Sequence, residues 1–141
     1  MRIRTVASVT SIALGALLIL GALGTAAIVR SELVKQNITI PDDGCLAGRQ
    51  VKGPFTAYCQ AQVIEKHARE TTGGLAYAEL DREDPRRQVA MNASFLRASL
   101  FTSVVAFGVA AMAGAIGVLF VLIGLGIRDV RRRVGEDAPG S

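Results

Sequence analysis

The chain has 141 residues, of which half are hydrophobic and only 5% aromatic, with no tryptophan, and its formal net charge is +4. The hydrophobic residues are concentrated in two blocks without a charged side chain, at residues 6–29 and 100–127. A soluble domain interrupts such blocks with polar faces. The composition therefore excludes an ordinary soluble enzyme, and the length allows one domain.

The first block is long enough to cross a membrane as a helix. About 24 residues at a rise of ~1.5 Å give ~36 Å, against a hydrocarbon core of ~30 Å. The alternative is a cleaved signal peptide, because Arg2 and Arg4 precede the block and small residues, including Ala26 and Ala27, end it. Signal peptides usually have an apolar region of only ~7–15 residues. The length therefore favours an uncleaved anchor.

The charges flanking the two blocks predict the topology. The short tails at residues 1–5 and 128–141 carry six positive and three negative charges, whereas the 30–99 segment carries ten and nine. Positive charge in short flanking segments stays in the cytoplasm. We therefore expect a multi-pass protein of the cytoplasmic membrane, with both termini cytoplasmic, residues 30–99 extracytoplasmic and the lipid bilayer as a partner. Binding to nucleic acid is not expected, because no basic face with interleaved aromatic residues is present.

The extracytoplasmic segment contains the two cysteines of the chain, Cys45 and Cys59. A small domain in an oxidising compartment usually needs such a crosslink, so the pair predicts a structural disulfide. A zinc site is the weaker alternative because it needs four ligands, and a redox pair is normally spaced Cys-x-x-Cys. Around Cys45 the residues 37–54 predict an irregular stretch. The stretch 34–40 is β-prone at its end and is stopped by Pro41, and Asp42-Asp43-Gly44 predicts a turn.

Two extracytoplasmic helices are predicted after the irregular stretch, at residues 56–70 and 85–99. Asp84 and Pro85 form a typical helix start, and no glycine follows until Gly108, so the second helix should continue through the membrane to about Arg133. Each helix carries an apolar stripe at helical spacing, and the two stripes should pack together. The stripes consist of Ala57, Ala61, Ile64 and Ala68, and of Val89, Ala93, Leu96 and Leu100. The predicted fold is an all-α membrane protein, a two-helix hairpin with a disulfide-stapled outer segment.

No catalytic, cofactor-binding or metal-binding residues are predicted. The only histidine, His67, lies among charged residues with no nucleophile or second ligand at a useful spacing. The carboxylates of Asp81, Glu83 and Asp84 are interleaved with arginines, which favours a salt-bridged helix start. The sequence therefore predicts a protein that is not an enzyme, with no small-molecule substrate identified.

Small residues recur at steps of four in both apolar blocks, and such stripes allow helices to approach closely. They could join the two spans into a hairpin, dock on a larger membrane partner, or do both. The candidate packing residues are Ser11, Gly15, Ala106, Ala110, Gly114 and Gly117.

The middle of the chain resembles a family of small two-span membrane proteins from actinobacteria. The resemblance covers about residues 37–124 and rests on Gly53-Pro54-Phe55-Thr56-Ala57, Gln60-Ala61-Gln62-Val63-Ile64, Thr72-Gly73-Gly74, Tyr77-Ala78-Glu79-Leu80 and Asn92-Ala93-Ser94-Phe95-Leu96. It implies the same two-span topology. Family members are often labelled as subunits of aromatic ring-opening dioxygenases. A facial-triad iron site needs two histidines and a carboxylate, so the single His67 argues against that label here.

Two functions remain open from the sequence. The first is an accessory subunit or assembly factor of a larger envelope complex, such as a lipid transporter or a respiratory assembly. The second is a stand-alone sensing or ligand-binding module, which predicts an apolar pocket between the helices at residues 56–70 and 85–99.

Overall fold

The structure, a computed structural model, describes residues 2–136. It contains three helices, α1 (Arg2–Lys35), α2 (Pro54–Thr72) and α3 (Arg86–Glu136), and one 3-10 turn at Tyr77–Glu79. Within this range the only strand-like pairing is a single antiparallel bridge between Thr39 and Gln50. The predicted all-α fold is therefore confirmed. The predicted tail charge of Asp137 lies outside the described residues, as do the side chains of Arg2, Arg4, Arg131, Arg132, Arg133 and Glu136.

The first compact unit, the helical pair, consists of residues 2–25 of α1 and 109–136 of α3. The two segments run antiparallel, because Ser8 contacts Gly124 whereas Ala22 lies beside Gly114. Over Thr5–Lys35 and Arg86–Val130, α1 and α3 are long and apolar enough to cross a membrane. That criterion concerns length and composition, and both helices pass it.

The second compact unit, the disulfide unit, spans Ala26–Gly108. Its core is built from the C-terminal end of α1, the irregular segment, α2 and the N-terminal part of α3. The buried members are Leu33, Ile40, Val51, Ala57, Cys59, Ala61, Val63 and Leu100, with Val29, Ile38, Ile64, Phe101, Val104 and Phe107 packed against them.

The irregular segment lies between the end of α1 at Lys35 and the start of α2 at Pro54, close to the predicted bounds of 37–54. Val34, the first residue of the β-prone stretch, belongs to α1, and Asn37 turns the chain with a positive φ of 55°. Two backbone hydrogen bonds then join this stretch to the segment before α2, from Val51 N to Ile38 O and from Ile40 N to Arg49 O. The β-prone stretch thus forms a single bridge, because a longer β-ladder would need more paired residues in both segments.

Local signals define the ends of α2. The hydroxyl oxygen of Thr56 accepts a hydrogen bond from the N–H of Gly53, the residue before the helix, and Pro54 occupies the first turn. At the other end Gly73 adopts a left-handed conformation with φ 69°, and the N–H of Gly74 bonds back to Arg69 O. Left-handed glycine is the usual helix terminator. The helix is therefore two residues longer at each end than the predicted 56–70.

The predicted continuous helix from the outer segment into the second apolar block is confirmed by α3, which runs unbroken from Arg86 to Glu136. Asp84 caps it as predicted, since its carboxylate accepts a hydrogen bond from the N–H of Arg86 at 2.8 Å. The same carboxylate pairs with the Arg86 guanidinium, which lowers the pKa of Asp84. Arg87 instead stacks on the ring of Tyr77, 4.1 Å from its centroid.

The predicted apolar stripe of α3 is confirmed at Ala93 and Leu100 and is wrong at Val89 and Leu96. Leu96 is 55% exposed and Val89 40% exposed, whereas Ala90, Ala93 and Leu100 are buried. The face toward α2 therefore follows 90, 93, 97 and 100. This face includes a charged residue, Arg97. The reason is that alanines allow close approach between helices, and the Arg97 charge is neutralised across the contact by Glu65.

The two compact units divide the chain at other points than hydropathy does. The predicted spans are residues 6–29 and 100–127, whereas the boundaries between the units along the chain lie at Thr25/Ala26 and Gly108/Val109. Val29, Val104 and Phe107 fall inside the predicted spans but pack against the core of the disulfide unit. Hydropathy alone does not distinguish residues that face lipid from residues that face a protein core.

Candidate functional site

The contact surface between α1 and α3 in the helical pair, called the seam below, includes several of the predicted packing residues. At Gly15 and Gly117 the two backbones touch. A Cβ added to Gly15 would lie 2.5 Å from Gly117 O, and one added to Gly117 would lie 2.7 Å from Gly15 O. A Cβ at Gly114 would lie at an ordinary contact distance, 3.5 Å from Ala22 Cβ. Ala110 is buried. Neither glycine of the Gly15–Gly117 contact can therefore carry a side chain without a shift of the helices.

Two residues of the seam were missed by the sequence reasoning. The buried hydroxyl of Ser8 donates a hydrogen bond to Gly124 O at 2.7 Å, and a Cβ on Gly124 would lie 2.9 Å from Ser8 O. Ser11, which was predicted in place of Ser8, is only partly buried, and so is Ala106. Ala106 belongs to the disulfide unit.

The signal that could have found Ser8 and Gly124 is a period of seven residues. One seam face repeats as Ser8, Gly15 and Ala22, and the other as Ala110, Gly117 and Gly124. A seven-residue repeat keeps one face of a helix toward its partner, whereas a step of four drifts around the helix. The spacing of four residues therefore identifies only part of the seam, including Gly15 and Gly117.

Other glycines of the long helices lie outside the seam. A Cβ added to Gly21 or Gly24 of α1 would meet no atom within 4 Å, and the same holds for Gly108 and Gly126 of α3. Glycine inside a helix is less favourable than alanine by about 1 kcal/mol. Contacts among the described residues offer no reason for these four glycines.

The predicted disulfide between Cys45 and Cys59 is present, with an S–S distance of 2.05 Å and Cα atoms 5.4 Å apart. It joins the irregular segment to the second turn of α2. Gly44, next to Cys45, lies so close to the core that an added Cβ would be 2.6 Å from Ile40 and 2.7 Å from Val63. The disulfide and this close approach together hold the segment against α2.

The turn at Asp43 provides a second attachment to α2, which the sequence reasoning missed. One carboxylate oxygen of Asp43 lies 2.9 Å from Lys66 Nζ and 2.9 Å from His67 Nε2. The Lys66 ammonium, and next the His67 ring, hold the pKa of Asp43 below its usual value, while Asp43 raises the pKa of Lys66. His67 therefore has a partner from outside its own helix, but the neighbouring ammonium opposes cation binding at this carboxylate.

A small hollow of about 70 Å³ lies between α2 and α3 within the disulfide unit. Glu65 on its wall contacts the guanidinium groups of both Arg69 and Arg97, and Arg97 Nε is buried with no hydrogen-bond partner among the described residues. Sites for small organic ligands usually enclose about 300–1,000 Å³. The hollow is therefore too small for the apolar pocket that the sensing alternative predicts.

Among the described residues, no group of three or more His, Cys, Asp or Glu side chains could hold a metal ion. The residues around His67 do not fit the facial triad that the dioxygenase label implies, because its nearest carboxylate is already paired with Lys66.

Comparison with known proteins found no matching family model, no similar curated protein and no similar solved structure.

Proposed function

We propose that this protein is a non-catalytic integral membrane protein with two spans, both termini in the cytoplasm and the disulfide unit outside. The length and apolar composition of α1 and α3 support the spans. The positive charge of the tails supports the orientation. The Cys45–Cys59 disulfide also supports it, because such bonds persist in oxidising compartments.

We further propose that it serves as an accessory subunit or assembly factor of a larger membrane complex in the cell envelope. The observation that carries this proposal is the set of glycines with open space around them. Gly21 and Gly24 are three residues apart, so they share one side of α1. Small residues at a lipid-exposed face allow another helix to approach to backbone contact. A partner helix would account for glycines that the helical pair itself does not use.

The ligand-binding alternative has less support. It requires a ligand-sized apolar pocket between α2 and α3. The hollow there has a volume of only about 70 Å³, and its wall includes the charged pair Glu65–Arg97.

Co-purification with substitutions at the open glycines tests the proposal. The tagged protein, extracted in a gentle detergent, is expected to retain a partner at fixed stoichiometry. The Gly21→Leu/Gly24→Leu variant should lose that partner while remaining folded. Ala16→Leu adds the same bulk at an exposed position on another side of α1 and should keep the partner. Recovery of the unaltered protein only as a monomer or a homo-oligomer would contradict the accessory role.

A further inference from the structure

One end of α2 presents aromatic side chains that the core of the disulfide unit does not use. Phe55, in the first turn, is 80% exposed, and Tyr58, one turn later, is 49% exposed. The Tyr58 ring also contacts Phe101 of α3, edge to face, with centroids 6.0 Å apart. Two exposed basic residues, Arg49 and Lys52, precede these aromatic residues in the chain.

The contacts between α2 and α3 show which end of the disulfide unit these residues occupy. Tyr58 lies at Phe101, Glu65 pairs with Arg97, and the Arg86 guanidinium reaches Thr72 O. The two helices are therefore antiparallel. The first turn of α2 lies beside α3 near residue 104, close to the Gly108 end of the unit.

The Gly108 end is also where the lipid-facing part of α3 should begin. Residues 109–130 span ~33 Å as a helix, which matches a hydrocarbon core of ~30 Å. On the other side of this point, Val104 and Phe107 are packed against protein. Residue 104 lies ~6 Å from Gly108 along the helix axis. A headgroup layer is about 5–7 Å thick in each leaflet. If α3 enters the hydrocarbon core near Gly108, the proposed topology therefore predicts that Phe55 is within this layer.

We propose that the N-terminal turn of α2 is an interfacial anchor that inserts Phe55 and Tyr58 into the headgroup layer of the outer leaflet. This inference rests on the proposed membrane topology. Aromatic side chains favour that layer because it is apolar on one side and wet on the other. Arg49 and Lys52 add attraction to lipid phosphates. The anchor holds the first turn of α2 at the membrane surface, whereas the last turn, near Thr72, lies beside Arg86 of α3.

The absence of tryptophan from the chain allows a direct test with single-tryptophan variants of the full-length protein. The variant Phe55→Trp is reconstituted into vesicles of phosphatidylcholine and phosphatidylglycerol, with bromine placed on the acyl chains either near the headgroups or near the chain ends. The matched control is Phe95→Trp, because Phe95 is 69% exposed but lies ~20 Å from Gly108 along α3. Leu119→Trp, at an exposed position of the helical pair, reports on the membrane span itself.

We expect lipid brominated near the headgroups to quench the Phe55→Trp variant and lipid brominated near the chain ends to quench the Leu119→Trp variant. Neither lipid should quench the Phe95→Trp variant. Emission of the Phe55→Trp variant should also be blue-shifted relative to that of Phe95→Trp. Tyr58→Trp provides a second reporter at the same level and should also be quenched.

Three results would overturn the anchor. If Leu119→Trp is quenched but Phe55→Trp and Tyr58→Trp behave like Phe95→Trp, the span stands and the anchor is wrong. If Phe55→Trp is shielded from iodide in water yet insensitive to brominated lipid, a protein surface covers it instead. If Leu119→Trp itself is not quenched, the membrane proposal fails and the anchor fails with it.

Discussion

Arg97 lies on the face of α3 that packs against α2, where the apolar pattern predicted Leu96 instead. The pattern of large apolar residues selected Leu96, whereas the face toward α2 contains Arg97. An arginine can take this place because its stem packs against apolar surface while its head pairs with Glu65. A charge that faces a neighbouring helix depends on its partner more strongly than a charge on an open surface does.

The Glu65–Arg97 pair can be tested by a double-mutant cycle. Glu65→Leu leaves the Arg97 charge half-buried without its partner, so we expect it to lower the free energy of unfolding by about 1–3 kcal/mol. Combining it with Arg97→Met should recover much of that loss. The exposed pair Glu32–Lys35 is the control and should show a coupling of at most ~0.5 kcal/mol. Denaturant unfolding followed by circular dichroism measures all four variants. Additive effects of the two substitutions would contradict the pairing.

The Asp43 carboxylate predicts a pH dependence with a definite sign. Lys66 and His67 lower its pKa, so its contribution is complete above the unfolded value of about 4 and is lost as pH falls through the lower folded pKa. The raised pKa of Lys66 acts at the other limit, where stability is lost as pH rises through it. Asp43→Asn should be less stable than the unaltered protein at pH 7, and the difference should disappear in acid.

Asp42→Asn is the matched control for the pH experiment, because it changes the adjacent carboxylate of the same turn. Thermal unfolding between pH 3 and pH 7 supplies the measurement. A difference between Asp43→Asn and the unaltered protein that stays constant down to pH 3 would rule out the carboxylate as its source.

Glycine has opposite roles on two faces of α1. At Gly15 the helices touch through their backbones, whereas at Gly24 an added Cβ meets nothing. Gly15→Ala should therefore destabilise the helical pair by about 1–3 kcal/mol through overpacking. Gly24→Ala should be neutral or stabilising by up to ~1 kcal/mol in the isolated protein.

Thermal unfolding in one detergent compares these two glycine variants directly. Ala22, at the looser end of the seam, offers a check on the gradient of packing, because its Cβ is at ordinary contact distance from the position of a Gly114 Cβ. Gly114→Ala should therefore cost less than Gly15→Ala. Equal effects of Gly15→Ala and Gly24→Ala would exclude the close seam.

The disulfide stabilises the irregular segment, which contains a single bridge and few buried side chains. A crosslink across 14 positions of sequence contributes about 3 kcal/mol if it acts by restricting the unfolded chain. Cys45→Ser/Cys59→Ser should lower the stability of the disulfide unit by about this amount, as measured by denaturant unfolding. Reducing agent should destabilise the unaltered protein and leave the double variant unchanged; an equal response of both would assign the effect to something other than this bond.

For the molecule as a whole, topology is the property that reporter fusions decide. If both termini lie in the cytoplasm, as proposed, green fluorescent protein fused after Ser141 should fluoresce, and alkaline phosphatase fused there should be inactive. Alkaline phosphatase inserted between Gly73 and Gly74, at the end of α2, should be active. The opposite pattern would reverse the orientation and move the disulfide unit into a reducing compartment, where its bond would not be expected.

Most of the architecture followed from the sequence because its signals are local. A charge-free apolar run specifies a long helix, Asp84-Pro85 and Gly73 specify where helices start and end, and two cysteines in one segment specify their own pairing. None of these inferences needs to know which residues meet across the molecule. The continuous α3 was also predictable, because no glycine or proline interrupts it before Gly108.

Only the tertiary structure decided which faces of the helices meet. The Arg97–Glu65 pair, the Ser8–Gly124 contact and the attachment of Asp43 to Lys66 each join residues far apart in sequence. In a chain so rich in alanine, rotating a helix by one residue exchanges one small or apolar side chain for another, so the hydropathy of the contact face hardly changes. The distance between the helix backbones does change. Close packing therefore requires the rotation that brings glycines and paired charges into the contact.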